Sequence, residues 1–397
     1  MSYFKQKTKY EALTGGEAVA EAMSQIEPGV VPIYPITPQT PIVEKFASIV
    51  ASGRIDSEII TAESEHSVMS MAIGAAASGV RSMTATSSVG LAYMFEVLNI
   101  ASGMRMPIVL NVASRALSAP INIHCDHSDV MGVRDSGFIQ LWSETAQEAY
   151  DNTILAVKIA EHEEVRLPVM VVQDGFETSH TLEKVEKIED EKVKKFVGNY
   201  SYPYSLLRSK HQKTFGPLVL PSHYLEIKTE QWRAFERSEK IFKEAGQELK
   251  KITGRNYPAV ELFEVNEETE AVIIAMGASA GTIKASVKKL KAEGYNVGVA
   301  KIKLFRPFPY EALAKAIGHI GKIAVLDRAF SFGSRPPLFT EVRESFWSDN
   351  SSAKKQIQSY VFGLGGRSLK ESQVEEVFAD LLSNDFQERT RIIGEEK

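Results

Sequence analysis

The feature that most restricts this chain is an alternation of short apolar runs with segments of helical period. Residues 30–34, 58–61, 82–85, 107–112, 138–142 and 168–172 read as strands. Residues 41–50, 65–77, 89–101 and 146–162 read as helices. Strands that take turns with helices form a parallel sheet covered on both faces. In such a sheet the loops leaving the carboxyl ends of the strands build the binding crevice. Here those loops are 35–40, 62–65, 86–90 and 113–129.

From about residue 179 to 267 the rhythm breaks. Residues 183–195 are dominated by charge, and 199–221 are rich in Tyr, Pro and Lys without a period. Residues 224–252 then read as one long polar helix. A second alternating unit follows, with strands at 271–276, 296–302, 323–326 and 358–362. Its helices are expected at 279–293, 310–317, 338–346 and 372–382. A chain of 397 residues is too long for one ordinary core. The expectation is therefore α/β: a doubly wound domain over 1–260, with a connecting segment at about 180–260, then a smaller α/β domain over 261–397.

A net charge of −5 gives no basic excess, so neither nucleic acid nor an anionic membrane surface is an expected partner. No run of about 18 apolar residues occurs, and residues 1–14 are polar, so no membrane span and a cytoplasmic location are expected. The single cysteine, Cys125, can form neither an internal disulfide nor a four-thiolate cluster. If the protein handles electrons, the metal centres lie on another chain. Residues 124–129 crowd two histidines, two aspartates and that thiol together, but the spacing fits no zinc pattern. They read as a polar loop lining the crevice, with no metal and with Asp129 facing Arg134. Gly277 and Gly281 do not make a dinucleotide fingerprint, and no phosphate loop occurs.

Several segments in one order carry a likeness. Tyr34-Pro35-Ile36-Thr37-Pro38 follows the first strand, and Glu63-Ser64-Glu65-His66-Ser67 opens a helix of small residues. Thr86-Ser87-Ser88-Val89-Gly90-Leu91 follows the third strand, and Ser114-Arg115-Ala116-Leu117-Ser118-Ala119-Pro120 the fourth. Asp126-His127-Ser128-Asp129 and Arg134-Asp135-Ser136-Gly137 come next, then Leu304-Phe305-Arg306-Pro307-Phe308-Pro309 and Gly363-Leu364-Gly365-Gly366-Arg367. Together they resemble the alpha subunit of the multi-subunit pyruvate:ferredoxin oxidoreductases, within the 2-oxoacid:ferredoxin oxidoreductase family.

That resemblance implies a thiamine-diphosphate-binding domain of the pyrimidine type followed by a transketolase C-terminal-like domain. It implies oxidation of pyruvate with coenzyme A, as co-substrate, to acetyl-CoA and carbon dioxide, with ferredoxin reduced. The alternatives are the same chemistry on 2-oxoisovalerate or 2-oxoglutarate, a non-redox thiamine lyase or transferase, and a non-catalytic assembly subunit. The Gly-Asp-Gly motif that binds metal and diphosphate in thiamine enzymes is absent. The cofactor is thus expected to be shared with a beta subunit that carries Mg2+. The [4Fe-4S] clusters are expected on partner subunits, with beta, gamma and delta chains or fused equivalents.

Thiamine activation needs the cofactor's aminopyrimidine in its imino form, which a carboxyl bonded to the ring nitrogen favours; burial helps by lifting that carboxyl's pKa. Glu65 matches the activating glutamate by resemblance, and Glu63 is its rival two residues away. On position alone, Glu65 could equally be a first-turn acid favouring the helix dipole. Arg115 matches the arginine that grips the substrate carboxylate; otherwise it is a loop arginine paired with Asp126. Thr37 matches a threonine that meets the substrate, or else it serves a turn or cap. Gly90 and Pro35 are expected near the cofactor. Gly90 permits close backbone approach, although a helix start needing a small residue would explain it as well. Val89 stands where many relatives carry glutamine, which removes a polar contact. Arg306, flanked by prolines, reads as part of a structural turn rather than an interface or coenzyme A contact.

Overall fold

A computed structural model describes residues 9–207, 214–347, 355–383 and 389–396. Residues 1–8 of the polar amino-terminal stretch and 208–213 of the Tyr-, Pro- and Lys-rich stretch lie outside the described residues.

The first unit runs β1 (Lys9–Thr14), α1 (Gly15–Ile26), β2 (Val30–Ile33), α2 (Thr40–Ala51), β3 (Glu58–Thr61), α3 (Glu65–Ala77), β4 (Met83–Thr86), α4 (Ser88–Tyr93), α5 (Phe95–Gly103) and β5 (Val109–Ser114). It continues with α6 (Ser128–Gly132), β6 (Ile139–Ser143), α7 (Ala146–Ala160) and β7 (Val169–Asp174). Then come β8 (Leu182–Lys187), α8 (Asp190–Val197) and the 33-residue α9 (Pro221–Thr253). The second unit comprises β9 (Val260–Phe263), β10 (Ala271–Ala275), α10 (Ser279–Ala292), β11 (Val297–Ile302), β12 (Leu304–Arg306), α11 (Tyr310–Ile317), β13 (Lys322–Asp327), α12 (Pro337–Glu344), β14 (Gln356–Val361), α13 (Glu371–Leu382) and β15 (Arg391–Ile392).

The first sheet has the order β12-β6-β7-β5-β4, and β4 is tied to the parallel pair β2-β3 by a bridge from Val30 to Ser82. Every pairing among β2–β7 is parallel. The second sheet has the order β15-β14-β13-β10-β11-β9, parallel except for the edge strand β9. Both are the covered parallel sheets that the alternation predicts, and β5, β7 and β10 are buried along their whole length, as strands covered on both faces must be.

Several elements differ from the sequence reading, among them the short strands β1 and β9 and the helices α6 and α8. Helix α1 precedes the first expected strand, and nearly all of it is buried against α2 and α7. Its small residues, Ala18, Ala20 and Ala22, let it sit that deep, but they weaken any amphipathic pattern. The charged stretch at 182–187 is the strand β8, antiparallel to β1. It buries Val185 and, on the same face, the Lys187 side chain, which pairs with Glu21 (2.7 Å); with only one apolar residue turned inward, its strand character is masked. The helix expected over 89–101 is two, α4 and α5, broken at Met94. The break lets α4 seat Gly90 at the sheet edge while α5 sinks Val97 and Leu98 into the core. The proline-flanked segment around Arg306 is partly strand: β12 runs antiparallel to β6 and so joins the first sheet. Arg306 is held by Glu341 (2.7 Å) and Asp135 (3.3 Å).

The two units share apolar packing and charge. Leu110, Phe138 and Trp142 from around the first sheet belong to one buried cluster with Val272, Ile302, Phe305 and Val325 from the second unit. At the same junction Lys301, 2% exposed, reaches Glu148 (2.8 Å) and Glu261 (3.1 Å), and Lys303 reaches Glu148 (2.8 Å). Against the burial that would raise it, these two lysines hold the Glu148 carboxyl down at about 2. No helix among the described residues is long and apolar enough to cross a membrane.

Candidate functional site

Because β5, β4, β2 and β3 lie side by side, the loops at their carboxyl ends are neighbours along one edge. These loops carry Arg115, Ser87–Gly90, Pro35–Thr37 and Glu65 respectively. The sequence-predicted residues therefore meet at one crevice, although they are spread over about 80 positions.

Glu65 is the first residue of α3. Ser64 caps that helix by accepting the Ser67 N–H (3.3 Å), so the position of Glu65 is fixed by the cap. Glu65 is 7% exposed and its carboxylate has no hydrogen-bond partner among the described residues. Its rival Glu63 is exposed and is taken by the Ser67 hydroxyl, which draws its carboxyl below the usual range.

Gly90 explains how a carboxylate fits there. A β-carbon at residue 90 would stand 2.6 Å from Glu65 Oε1, 2.6 Å from Thr86 Oγ1 and 2.9 Å from Glu65 Cγ, distances that real side chains do not tolerate. The glycine thus makes room for Glu65. Beside it, Thr86 Oγ1 and Ser87 Oγ are buried and have no partner among the described residues. Val89, 41% exposed, points its apolar side chain outward from the same helix.

Arg115 is 6% exposed and pairs with no carboxylate among the described residues, Asp126 included. Its Nε donates to the Asn122 carbonyl (2.9 Å) and its Nη1 to the Thr37 carbonyl (2.9 Å). A guanidinium has five N–H donors, so these two bonds anchor the group and leave others for an anion. The same bond brings Thr37 to Arg115. Thr37 lies in an exposed turn and does not cap α2, whose N-cap is Gln39. Gln39 instead clamps the turn by donating to the Tyr34 carbonyl (2.9 Å). Pro35 is exposed in the same loop.

The loop 124–129 is built differently from the sequence expectation. Asp129 does not face Arg134; it is 1% exposed and takes backbone N–H groups, while Arg134 donates to the Met131 carbonyl (2.7 Å) and approaches Asp135 (3.7 Å). A buried carboxylate can be met by amides of its own neighbourhood, and that option is invisible in the sequence. Cys125, His127 and Asp174 lie close enough together to ligate an ion. However, Asp174 is already met by His127 Nε2 (2.9 Å) and Arg328 Nη1 (3.3 Å). Against its burial, contacts with His127 and Arg328 hold the Asp174 carboxyl below the usual range, and burial pushes the Cys125 thiol well up. Arg328 supplies the positive charge that a metal would bring.

Sequence reasoning missed Thr86, Ser87, Asn122 and Asp129. The hydroxyl pair after β4 was a readable signal; the roles of Asn122 and Asp129 depend on loop geometry.

The arrangement offers one carboxyl, Glu65, suited to a polar ring and one guanidinium, Arg115, suited to an anion; the Thr86 and Ser87 hydroxyls beside Glu65 are closed off from solvent.

Comparison with known proteins bears on the family of the chain. A family profile described as pyruvate flavodoxin/ferredoxin oxidoreductase, thiamine diphosphate-binding, matches residues 21–247, and pyruvate:ferredoxin oxidoreductase core domain II matches 269–374. The pyruvate synthase subunit PorA of Thermotoga maritima is 52% identical over 375 residues, 94% of this chain and 95% of that one. The ketoisovalerate oxidoreductase subunit VorA of Pyrococcus abyssi is 39% identical, over 94% of this chain and 93% of its own. The structure of 2-oxoglutarate:ferredoxin oxidoreductase from Magnetococcus marinus, solved with 2-oxoglutarate, coenzyme A and succinyl-CoA bound, matches 95% of this chain and 66% of that one. Its TM-score is 0.73 at 20% identity, a likeness of fold.

Proposed function

This chain belongs to the pyruvate flavodoxin/ferredoxin oxidoreductase family, and from that premise we propose how it works. It is the alpha subunit of a thiamine-diphosphate-dependent pyruvate:ferredoxin oxidoreductase, which converts pyruvate and coenzyme A to acetyl-CoA and carbon dioxide and reduces ferredoxin. When bound, thiamine diphosphate supplies the carbanion chemistry that decarboxylates a 2-oxoacid.

The chain's own residues divide the remaining work. Glu65 would hold the pyrimidine nitrogen of the cofactor through its largely buried carboxyl, and Gly90 keeps that corner open. Arg115, anchored by the Asn122 and Thr37 carbonyls, receives the substrate carboxylate, and the Thr37 hydroxyl meets the ketone end. The observation that carries this reading is Glu65: a buried carboxylate without a partner among the described residues, opposite a glycine whose replacement would crowd it.

The rest of the machinery belongs to other chains. The face beside the site exposes Val89, Tyr93, Phe95 and Ile100, apolar residues of α4 and α5 that a partner would cover. We assign that face to a beta subunit holding Mg2+ and the cofactor's diphosphate. The [4Fe-4S] clusters and the ferredoxin contact fall to further subunits, since the one thiol here is buried.

The test is to purify the native complex, measure its iron and assay it with a panel of 2-oxoacids and coenzyme A. We expect several iron atoms per complex and the highest kcat/KM with pyruvate. An iron-free complex that still decarboxylates pyruvate would make it a non-redox thiamine enzyme. The 39% identity to a ketoisovalerate enzyme favours 2-oxoisovalerate as the second substrate, and higher kcat/KM for it would reverse the order.

A further inference from the structure

Asp129 occupies a position that the reaction scheme above leaves unused. Its Oδ2 accepts the Ser88 N–H (2.8 Å) and the Arg115 N–H (3.0 Å) at once, and its Oδ1 accepts the Val130 N–H (2.7 Å). No cation lies within ion-pair range of it among the described residues. One oxygen therefore joins the loop after β4, which carries the Gly90 corner, to the loop after β5, which carries the arginine.

The local backbone needs that support. Ser88 has φ +49°, a left-handed conformation that residues with a side chain seldom adopt unless their surroundings impose it. Besides its N–H on Asp129, Ser88 places its hydroxyl on the Ala116 carbonyl (2.5 Å), one residue beyond Arg115. The Leu117 N–H in turn meets the Ser128 hydroxyl (3.0 Å), beside Asp129. These three bonds cross between the same two loops and the start of α6. Burial pushes the Asp129 carboxyl up to about 7, against the hydrogen bonds from Arg115 and Ser88 that lower it.

We propose that Asp129 is a positioning residue that fixes the Glu65–Gly90 corner and Arg115 in one register, so that cofactor and substrate ends of the site are assembled by a single carboxylate oxygen. The inference rests on the assignment of Glu65 and Arg115 made above. Removing the oxygen frees Ser88 to leave its left-handed conformation; α4 then shifts, and Gly90 with it. The same change releases the arginine's backbone. The two ends fail together, whereas lesions at Glu65 or Arg115 each strike one end.

The experiment uses the assembled complex. Asp129→Ala is compared with Asp129→Asn, whose amide oxygen can still accept from both Ser88 and Arg115. We expect Asp129→Ala to raise the KM for pyruvate and the dissociation constant for thiamine diphosphate by tenfold or more each, with Asp129→Asn recovering most of both. Hydrogen exchange on the cofactor-free complex is the second readout. The Ser88 and Arg115 amides should show matched protection in the unaltered protein, and both should exchange at least tenfold faster in Asp129→Ala. If Asp129→Ala does not assemble, the matched protection in the unaltered complex decides the matter. A lowered melting temperature with KM and cofactor affinity within twofold of normal would overturn the proposal, as would protections differing more than tenfold between the two amides. Full activity of Glu65→Gln would instead sink the site reading itself, whatever Asp129 does.

Discussion

The carboxyl-end loops of the two parallel sheets have opposite chemistry. Those of the first sheet leave a carboxylate, two buried hydroxyls and part of a guanidinium without partners among the described residues: Glu65, Thr86, Ser87 and Arg115. At the end of β13 in the second, the two buried charges are both met. Asp327 accepts the Leu338 and Phe339 N–H groups (2.8 and 3.0 Å), and Arg328 is held by Asp174 (3.3 Å), Glu177 (2.8 Å) and the Gly363 carbonyl (3.1 Å). The difference teaches that a doubly wound edge does not become a site by topology alone. It becomes one where polar groups are left unmet; where they are met across the junction, the edge joins two units together.

If that contrast is right, lesions at the second edge should cost stability and lesions at the first should cost chemistry. The largest effect is expected from Arg328→Met, which takes the guanidinium from Glu177 and leaves the buried Asp174 only His127 and the Ala278 N–H. Denaturant unfolding should show a loss of about 3–5 kcal/mol, the usual cost of removing one partner of a buried pair. Where the variant remains folded, its KM for pyruvate should change less than that of any first-edge variant. Glu65→Gln should do the reverse. Its kcat should fall at least about a hundredfold, equivalent to ~2.7 kcal/mol, with an unchanged melting temperature. A Glu65→Gln enzyme with normal turnover would erase the contrast.

Arg115→Lys is a finer probe. Lysine keeps the charge but loses the fork that lets arginine hold backbone carbonyls and an anion together. Steady-state kinetics should show a KM for pyruvate raised about tenfold, with kcat much less affected. The smallest effect is expected from Phe95→Ser, at the rim of the first edge. Calorimetric titration with the beta chain should weaken by roughly 1 kcal/mol, in keeping with the partial burial available to a half-exposed ring. The melting temperature of the chain alone should not move; if it does, the face belongs to this chain's own core.

Much of the first edge was legible in the sequence because its elements carry strong local signals. Helix α3 begins where Ser64 and Glu65 announce it, and β3 falls on residues 58–61 as expected. The loops followed from the parallel sheet, but it was the family resemblance that picked Glu65, Gly90, Arg115 and Thr37 out of them. What escaped was set by context. A strand such as β8, with Val185 and the Lys187–Glu21 pair on its inner face, carries too little apolar pattern to register. Helix α1 did have a signal, the Thr14 and Glu17 capping box, but its alanines blurred the periodicity behind it. Asp129 was legible only as an acid in a polar loop. Its partners are main-chain N–H groups 41 and 14 residues away, and no side-chain pattern records them.

The short strand β12 has a consequence for cutting the molecule. It comes after β9 and β11, both in the second sheet, yet it edges the first sheet, against β6. Severing the backbone at 254–258 would therefore not separate two halves: the later fragment would keep its grip on the earlier one like a clasp, and the pieces should co-elute on gel filtration. Made alone, the amino-terminal fragment would lack that border strand, and the bared margin of β6 would invite stacking of one copy on the next.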